Sequence, residues 1–465
     1  MDNNFPAKKD NSTVRWLILF IMCFITFSNY YTWEVFSPFK EVLGSKYRFS
    51  NTEYGFLQAA FSLPSSILFA TVIGGILMDR IGSAKIGIYL ILLVLVSGII
   101  SVFGVSPYFK EGNIIYDYFN SFMVKYPPHL KILTLSSFIF GIAAVNLFTL
   151  TAKSVAFWFM DHEYGLASSL NVSAIRIGTG GALVFGPYVF TNWGWPYPIY
   201  TILIFQIIVV VLFVVYLYSL KKIKKGQINA EFYKGESIAT FKMIFALRKN
   251  VNFYMLMITG ALFYPILYTL LRFGPDIMQN IYHLELQRAS LYSSIIPLSA
   301  TVATPITGYI IDRTKEAPAF IIVGSFLLII GLTFIMLGIG SFLIPLVMLG
   351  ISFGILPAAY WFIFGKMLGK QVFGSASGLM LWLQQTALWI TPVVMGYILD
   401  STNPAITSKD VVEGEDYFNY FFPMLYLLFY SIVNLIICSV LAFRYHLKTI
   451  GNIDNDDITL FTGEQ

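Results

Sequence analysis

This chain of 465 residues has little charge: Asp, Glu, Lys and Arg make up 12% of it, while hydrophobic residues make up 57% and aromatic residues 17%. A soluble domain of ordinary composition is about one quarter charged, so this composition, with a mean hydropathy of +0.71, excludes one. Cysteine is nearly absent. Cys23 and Cys438 both lie in apolar runs, which excludes a disulfide framework and leaves them a packing role. The four histidines, His129, His162, His283 and His446, stand in loops or at the ends of apolar runs, so they build neither a metal cluster nor an intramembrane proton relay. A glycine-rich phosphate loop ending in Lys-Ser/Thr is missing, which excludes the familiar signature of an ATP-driven pump. No catalytic constellation stands in its place, and the chain is read as a non-enzyme without cofactor or metal.

Long apolar runs dominate what is present. Twelve can be counted, at roughly 14–38, 52–78, 85–105, 132–157, 164–190, 199–219, 251–274, 289–311, 317–339, 343–365, 374–399 and 419–443. About 20 residues at ~1.5 Å rise per residue cross ~30 Å of hydrocarbon, so each run is long enough to be a transmembrane helix. The fold class is therefore an all-α integral membrane protein of twelve spans. The first run follows a short polar start and is too long for a signal-peptide core, so it is expected to insert uncleaved.

Lysine and arginine set the expected orientation. With an even number of spans both termini share a side, and that side collects Lys8, Lys9, Arg15, Arg80, Lys85, the Lys221–Lys225 cluster, Arg248, Lys249, Arg313, Lys315, Lys366, Lys370, Arg444 and Lys448. By the positive-inside rule that side is cytoplasmic. The net charge of +5 then reflects anchoring on an anionic leaflet and requires no nucleic acid.

A polar stretch divides the chain into a cytoplasmic segment 1–13, a first six-helix bundle 14–220, a linker 221–250, a second six-helix bundle 251–443 and a tail 444–465. Each half carries a similar phrase after its second span, GGILMDRIGSAK from Gly74 and TGYIIDRTKEAP from Thr307. A repeat at matching positions implies homologous bundles with a site between them near the midplane. The doubled Gly-x-x-x-Asp-Arg phrase in a six-plus-six chain resembles the major facilitator superfamily over nearly its whole length. That resemblance implies that Gly75, Asp79, Arg80, Asp312 and Arg313 form a cytoplasmic gate, although Ser83 replaces the usual basic residue of the first copy. A purely topological anchor is the plainer reading of the same residues.

The stretch NVSAIRIGTGG, Asn171 to Gly181, sets one arginine among small and apolar residues. Arg176 lies about 11 residues, or ~16 Å, into the fifth span, too deep to snorkel. A midplane arginine costs at least ~2.5 kcal/mol on insertion scales, so it needs a cavity and a partner or ligand. Ser169, Ser173 and Arg176 share a helical face with Thr179 or Gly180, which points the polar stripe inward. Glu34 in the outer half of the first span, one turn beyond Tyr30 and beside Trp33, is the matching carboxylate. It has four readings: binding an ammonium group, titrating as a coupling-proton site, pairing with Arg176, or capping a solvated helix end.

Tyr264, Tyr268 and Arg272 recur at i, i+4 and i+8 in the seventh span, with Arg272 near enough to the outer surface to be an interface anchor instead. Asn146, Thr149 and Lys153 line the fourth. Tyr360, Trp361, Trp382, Gln384, Gln385 and Trp389 add aromatic walls and amides suited to a polar solute of modest size, with packing as the commoner role of such rings.

Within the superfamily the chain resembles the lysosomal dipeptide transporter branch. The matching segments are TFSNYYTWEVFSPF, FIFGIAAVNLFTLTAKSVAFWF, the Ala-Ile-Arg-Ile-Gly around Arg176, PLSATVATPITGYIIDRT and, most specifically, GSASGLMLWLQQTALWITPVVMGYILD. The resemblance implies that Arg176 grips a peptide carboxylate. The branch's acidic residue in the fourth span has no counterpart at Val145 or Asn146, which leaves Glu34 to supply the ammonium-binding half. The expected function is a gradient-driven transporter of a small polar organic solute by alternating access, with dipeptides or related zwitterions foremost.

An anion exchanger built on Arg176 and Arg272 is the alternative, and a non-transporting receptor is the alternative of another class. A proton is the candidate coupling ion, the bilayer the surrounding partner, and the protein a monomer. The loop 106–131 is either a partly ordered cap or a tolerated insertion. Acidic dileucine signals are missing from the amino-terminal segment, as are glycosylation acceptors from the outer loops. Those absences favour a bacterial inner membrane over a lysosomal one.

Overall fold

A computed structural model of the chain describes residues 12–159, 163–224, 251–338, 340–367 and 370–449, except for the side chains of 79, 221–224, 370–375 and 445–449. Among the described residues there are helices and no strands, as backbone in hydrocarbon requires when every N–H and C=O must pair within its own segment. The side chain of Asp79, the linker from residue 225 and the tail from residue 450 lie outside the described residues.

Helix α1 (Ser12–Glu34) runs through a 3-10 turn, Ser37–Phe39, into α2 (Lys40–Tyr47). Pro38 in that turn has no N–H to continue the ladder, so the chain breaks there. The next pass is cut into α3 (Asn51–Ala59), α4 (Leu63–Ile67) and α5 (Ala70–Ile81). Pro64 opens α4, and Phe69 takes a left-handed conformation at φ 52°, which turns the chain before α5. Then come α6 (Ser83–Val105), the short α7 (Ile114–Ser121), α8 (Pro128–Phe159), α9 (Tyr164–Trp193) and α10 (Tyr197–Lys224). Beyond the linker lie α11 (Val251–Tyr282), α12 (Leu286–Ser293), α13 (Ile295–Thr314), α14 (Ala317–Leu337) and α15 (Leu343–Met367). The last elements are α16 (Lys370–Thr402), the short α17 (Ser408–Glu413) and α18 (Phe421–Thr449).

Among the described residues, nine helical stretches are long and apolar enough to cross a membrane. The stretches 51–81, 164–193 and 370–402 fall outside that set. One is cut into pieces, and the other two carry Arg176 and the Gln384–Gln385 pair among small and polar residues.

Lipid tails supply no hydrophobic drive between helices, so close packing and interhelical hydrogen bonds, at about 1–2 kcal/mol each, hold such helices together. The Thr26 hydroxyl of α1 bonds Asn171 Oδ1 of α9 at 2.9 Å and lies 3.2 Å from Thr151 Oγ1 of α8, while Asn29 Nδ2 donates to the Ala144 carbonyl at 3.0 Å. In the second half Asn434 Nδ2 donates to Ser325 Oγ at 3.1 Å and Ser352 Oγ to the Gly324 carbonyl at 2.8 Å. In the loop 106–131 Phe109 is buried with its ring 5.0 Å from His129, and Lys131 Nζ donates to the carbonyls of Phe119 and Phe122. Cys23 and Cys438 are free thiols within the packed helices.

Candidate functional site

Arg176 sits on α9 amid small residues, and only 7% of it is exposed. Its guanidinium lies 3.5 Å over the ring of Phe353 from α15, and Tyr30, Tyr264 and Tyr268 stand within electrostatic reach. Nε has no hydrogen-bond partner, and among the described residues no carboxylate forms an ion pair with Arg176. A cation this deep without an internal counterion is costly, and an anionic ligand is what lowers that cost. Ser173 is half-buried one turn away.

Arg272 is fully buried, so it is no interface anchor. Its Nε, Nη1 and Nη2 have no hydrogen-bond partners, and its guanidinium lies 5.0 Å from the Trp33 ring. The carboxylate facing it is Glu34, also fully buried, which interacts with Arg272 electrostatically without forming an ion pair within 4 Å. Ser37 Oγ donates to Glu34 Oε2 at 2.8 Å, and Oε1 is left without a donor. The carboxylate expected beside Arg176 therefore turns to the other arginine. Trp33 stacks on Tyr268 at 4.9 Å, so an aromatic pair separates the two guanidinium groups.

Other candidates divide between wall and scaffold. Trp361 Nε1 donates to Tyr264 Oη at 3.0 Å, which orients that ring, and Tyr360 is buried with its hydroxyl unpartnered. Gln384 and Gln385 are buried, each with an unpartnered Oε1. Trp382 Nε1 instead donates to the Ser66 carbonyl at 2.8 Å. Asn146 Nδ2 donates to the carbonyls of Ala70 at 3.1 Å and Ile142 at 2.8 Å, so its amide ties α8 to the start of α5. A cavity of about 20 Å³ behind Trp33, lined by Gln58, Ser97, Ser101 and Ser136, has room for about one water and cannot be where an organic solute sits.

One end of the helix assembly is sealed by residues from both halves. Asp400 at the end of α16 accepts from Asn51 and Thr52, and the Tyr54 hydroxyl donates to the Arg272 carbonyl at 2.8 Å. Lys40 Nζ bonds Glu41 Oε1 at 2.6 Å and Asp276 Oδ2 at 2.8 Å. At the opposite end Arg80, Asp312 and Arg313 are exposed, Arg313 lies 4.5 Å over Tyr309, and Gly75 has nothing within 4 Å of where a side chain would start. The gate residues named from the repeated phrase thus stand at the unsealed end.

Sequence reasoning missed Lys40, Glu41, Asp276 and Asp400. The signals were slight. Asp276 lies one turn beyond Arg272 on the same helix, and Asp400 ends the Gly-Tyr-Ile-Leu-Asp phrase, both at span ends where charge is ordinarily solvated.

Comparisons with known proteins bear on the family and the fold. The sequence pattern of the Major Facilitator Superfamily matches residues 22–392. The human protein named lysosomal dipeptide transporter MFSD1 is 21% identical over 410 residues, which cover 85% of this chain and 83% of that relative. An uncharacterized transporter of Bacillus subtilis, YybO, is 23% identical over 331 residues, 67% of this chain and 70% of the relative. Among solved structures, a bacterial homolog of the human lysosomal transporter Spinster superposes with a TM-score of 0.68 at 12% identity, covering 94% of this chain and 99% of that one. A D-xylose–proton symporter gives 0.65 at 14% identity, covering 91% and 97%.

Proposed function

The chain belongs to the major facilitator superfamily, a family of membrane transporters, and on that premise we propose that it is a gradient-driven carrier working by alternating access, with dipeptides or related zwitterions as its solutes. The observation that carries this reading is Arg176, a buried guanidinium between Phe353 and Tyr268 with no carboxylate of its own. Its planar fork suits a substrate carboxylate, which two parallel N–H donors hold in one orientation. Glu34 offers the unpartnered Oε1 to an ammonium group, and Tyr30, Tyr264 and Tyr268 lie within electrostatic reach of Arg176. The similarity to a named dipeptide transporter supports the same solute class.

Two bundles, 14–220 and 251–443, rock about this site in the proposed cycle, with the linker and both termini cytoplasmic. The end sealed by Asp400 then faces outward. The membrane proposed is a bacterial inner membrane, and finding the native protein in endolysosomal fractions would overturn that assignment. Purified protein should gain thermal stability with free dipeptides, and stabilisation by carboxy-amidated dipeptides to the same degree would remove Arg176 from the site. Anion exchange is the second reading, favoured by the three unpartnered nitrogens of Arg272. Uptake into liposomes separates the two readings, because a dipeptide carrier takes up labelled dipeptide without any internal anion, whereas an exchanger takes up a labelled anion only in return for an internal one.

A further inference from the structure

The sealed end holds a set of charges that does not balance. Lys40 and Glu41 from α2 meet Asp276 from α11 with all three side chains at most 2% exposed. Asp276 is well supplied with donors: Lys40 Nζ at 2.8 Å and the Tyr420 hydroxyl on Oδ2, and Asn280 Nδ2 at 3.0 Å on Oδ1. Glu41 has Lys40 at 2.6 Å on Oε1 and nothing on Oε2, which is buried without a donor. Tyr54 and Tyr420 are the other titratable groups facing the cluster, and Phe418 covers Lys40 at 4.4 Å. Beyond Tyr54 lie Glu34 and Arg272, which offset one another. Three carboxylates thus face two cations, since Arg176 turns to Phe353 and Tyr268.

A buried excess of negative charge, with one carboxylate oxygen left without a donor, is not tolerated when a proton can remove it. We propose that the sealed end binds one proton, carried on Glu41 Oε2, which is taken up as Lys40 and Glu41 close against Asp276 and is released to the same side when that end opens. Asp276, with its three donors, stays ionised. The proton enters and leaves on one side, so it gates opening without being carried across. The inference rests on the alternating-access reading above. Its sign is fixed: the closed state holds one more proton than the open state, so acid favours closure and alkali favours opening. Asp400 faces the same seal from the second half of the chain, where its carboxylate accepts the Asn51 and Thr52 donors.

The test uses the full chain in nanodiscs without solute, with Cys23 and Cys438 replaced by alanine and spin labels on K46C and K409C. Both lysines are exposed, one on each side of the seal. Above the range where exposed carboxylates titrate, about pH 5, the ratio of long to short label distances should rise tenfold per pH unit, the slope of one proton. Glu41→Gln should flatten that slope while both distances persist, because Lys40 and Asp276 then balance without a proton. Asp276→Asn should flatten it too, which keeps the test open if the first variant misfolds. Two distances with no pH dependence, a ratio that falls with pH, or an unchanged slope in both variants would overturn the proposal. A single distance at every pH in all three proteins would overturn it together with the alternating-access reading.

Discussion

Asp400 caps a helix that starts 349 residues earlier: its Oδ1 accepts from the Asn51 backbone N–H at 2.9 Å and side-chain amide at 2.8 Å, and its Oδ2 from the Thr52 N–H at 2.8 Å and hydroxyl. The first-turn donors of α3 have no intrahelical acceptors, and a carboxylate there also meets the positive end of the helix dipole. The cap belongs to the other half of the chain, so it can form only while this end is sealed. Asp400→Ala should cost the closed state about 1.5–3 kcal/mol, the worth of hydrogen bonds to a charged group. Label distances across the seal read the shift, and an unchanged distribution would make the cap incidental.

Close approach sets a second prediction. A methyl group at Gly396 would lie 2.2 Å from the Asn51 carbonyl oxygen, and one at Gly55 would lie 2.3 Å from that of Pro392. Backbone atoms cannot swing aside as a side chain can. Gly396→Ala and Gly55→Ala should each hold the end apart and stop turnover while the protein inserts and stays folded. Native transport rates from either variant would show that the seal does not close this tightly during the cycle.

The opposite end gives a third. Asp79→Asn should slow turnover several-fold while leaving solute affinity within about twofold, because the role assigned to the Gly-x-x-x-Asp-Arg phrase belongs to the conformational cycle and not to the site. Affinity and rate falling together would assign Asp79 to folding or to the pocket.

Asn146 separates wall from scaffold. Its amide ties α8 to the Ala70 carbonyl at the start of α5, so Asn146→Ala should cost about 0.5–1.5 kcal/mol of stability, the net worth of one such hydrogen bond. Solute affinity per folded molecule should hardly change. A large loss of affinity with unchanged thermal stability would return Asn146 to the binding site.

What could be read from the residues follows from the solvent in which they fold. Hydrocarbon punishes polarity, so the apolar runs and the isolation of Arg176 were plain in the sequence, and the helices appear where the runs lie. The repeated Asp-Arg phrase pointed to the superfamily because two matching copies carry more information than one. The pairing was not legible. Glu34 and Arg272 are 238 positions apart, and only the packing of the turn after α1 against α11 brings that carboxylate to Arg272 rather than Arg176. Lys40, Glu41 and Asp276 sit at span ends where charge is normally wet, so nothing local marked them as buried. The broken pass 51–81 was hidden as well, because Phe69 in a left-handed conformation has no sequence signature comparable to Pro64.

Arg176 decides whether the site takes a carboxylate. If Arg176 binds a substrate carboxylate, geometry matters as well as charge, since a lysine ammonium cannot reproduce two parallel hydrogen bonds. The direct measurement is a cycle of dissociation constants for a free dipeptide and its carboxy-amidated form, on the native protein and on Arg176→Lys. A bidentate grip predicts that the free dipeptide loses on the order of 2–5 kcal/mol in the variant, while the amidated form binds both proteins weakly and about equally. Additive effects, with both ligands losing the same affinity on substitution, would contradict it and show that Arg176 does not touch the carboxylate.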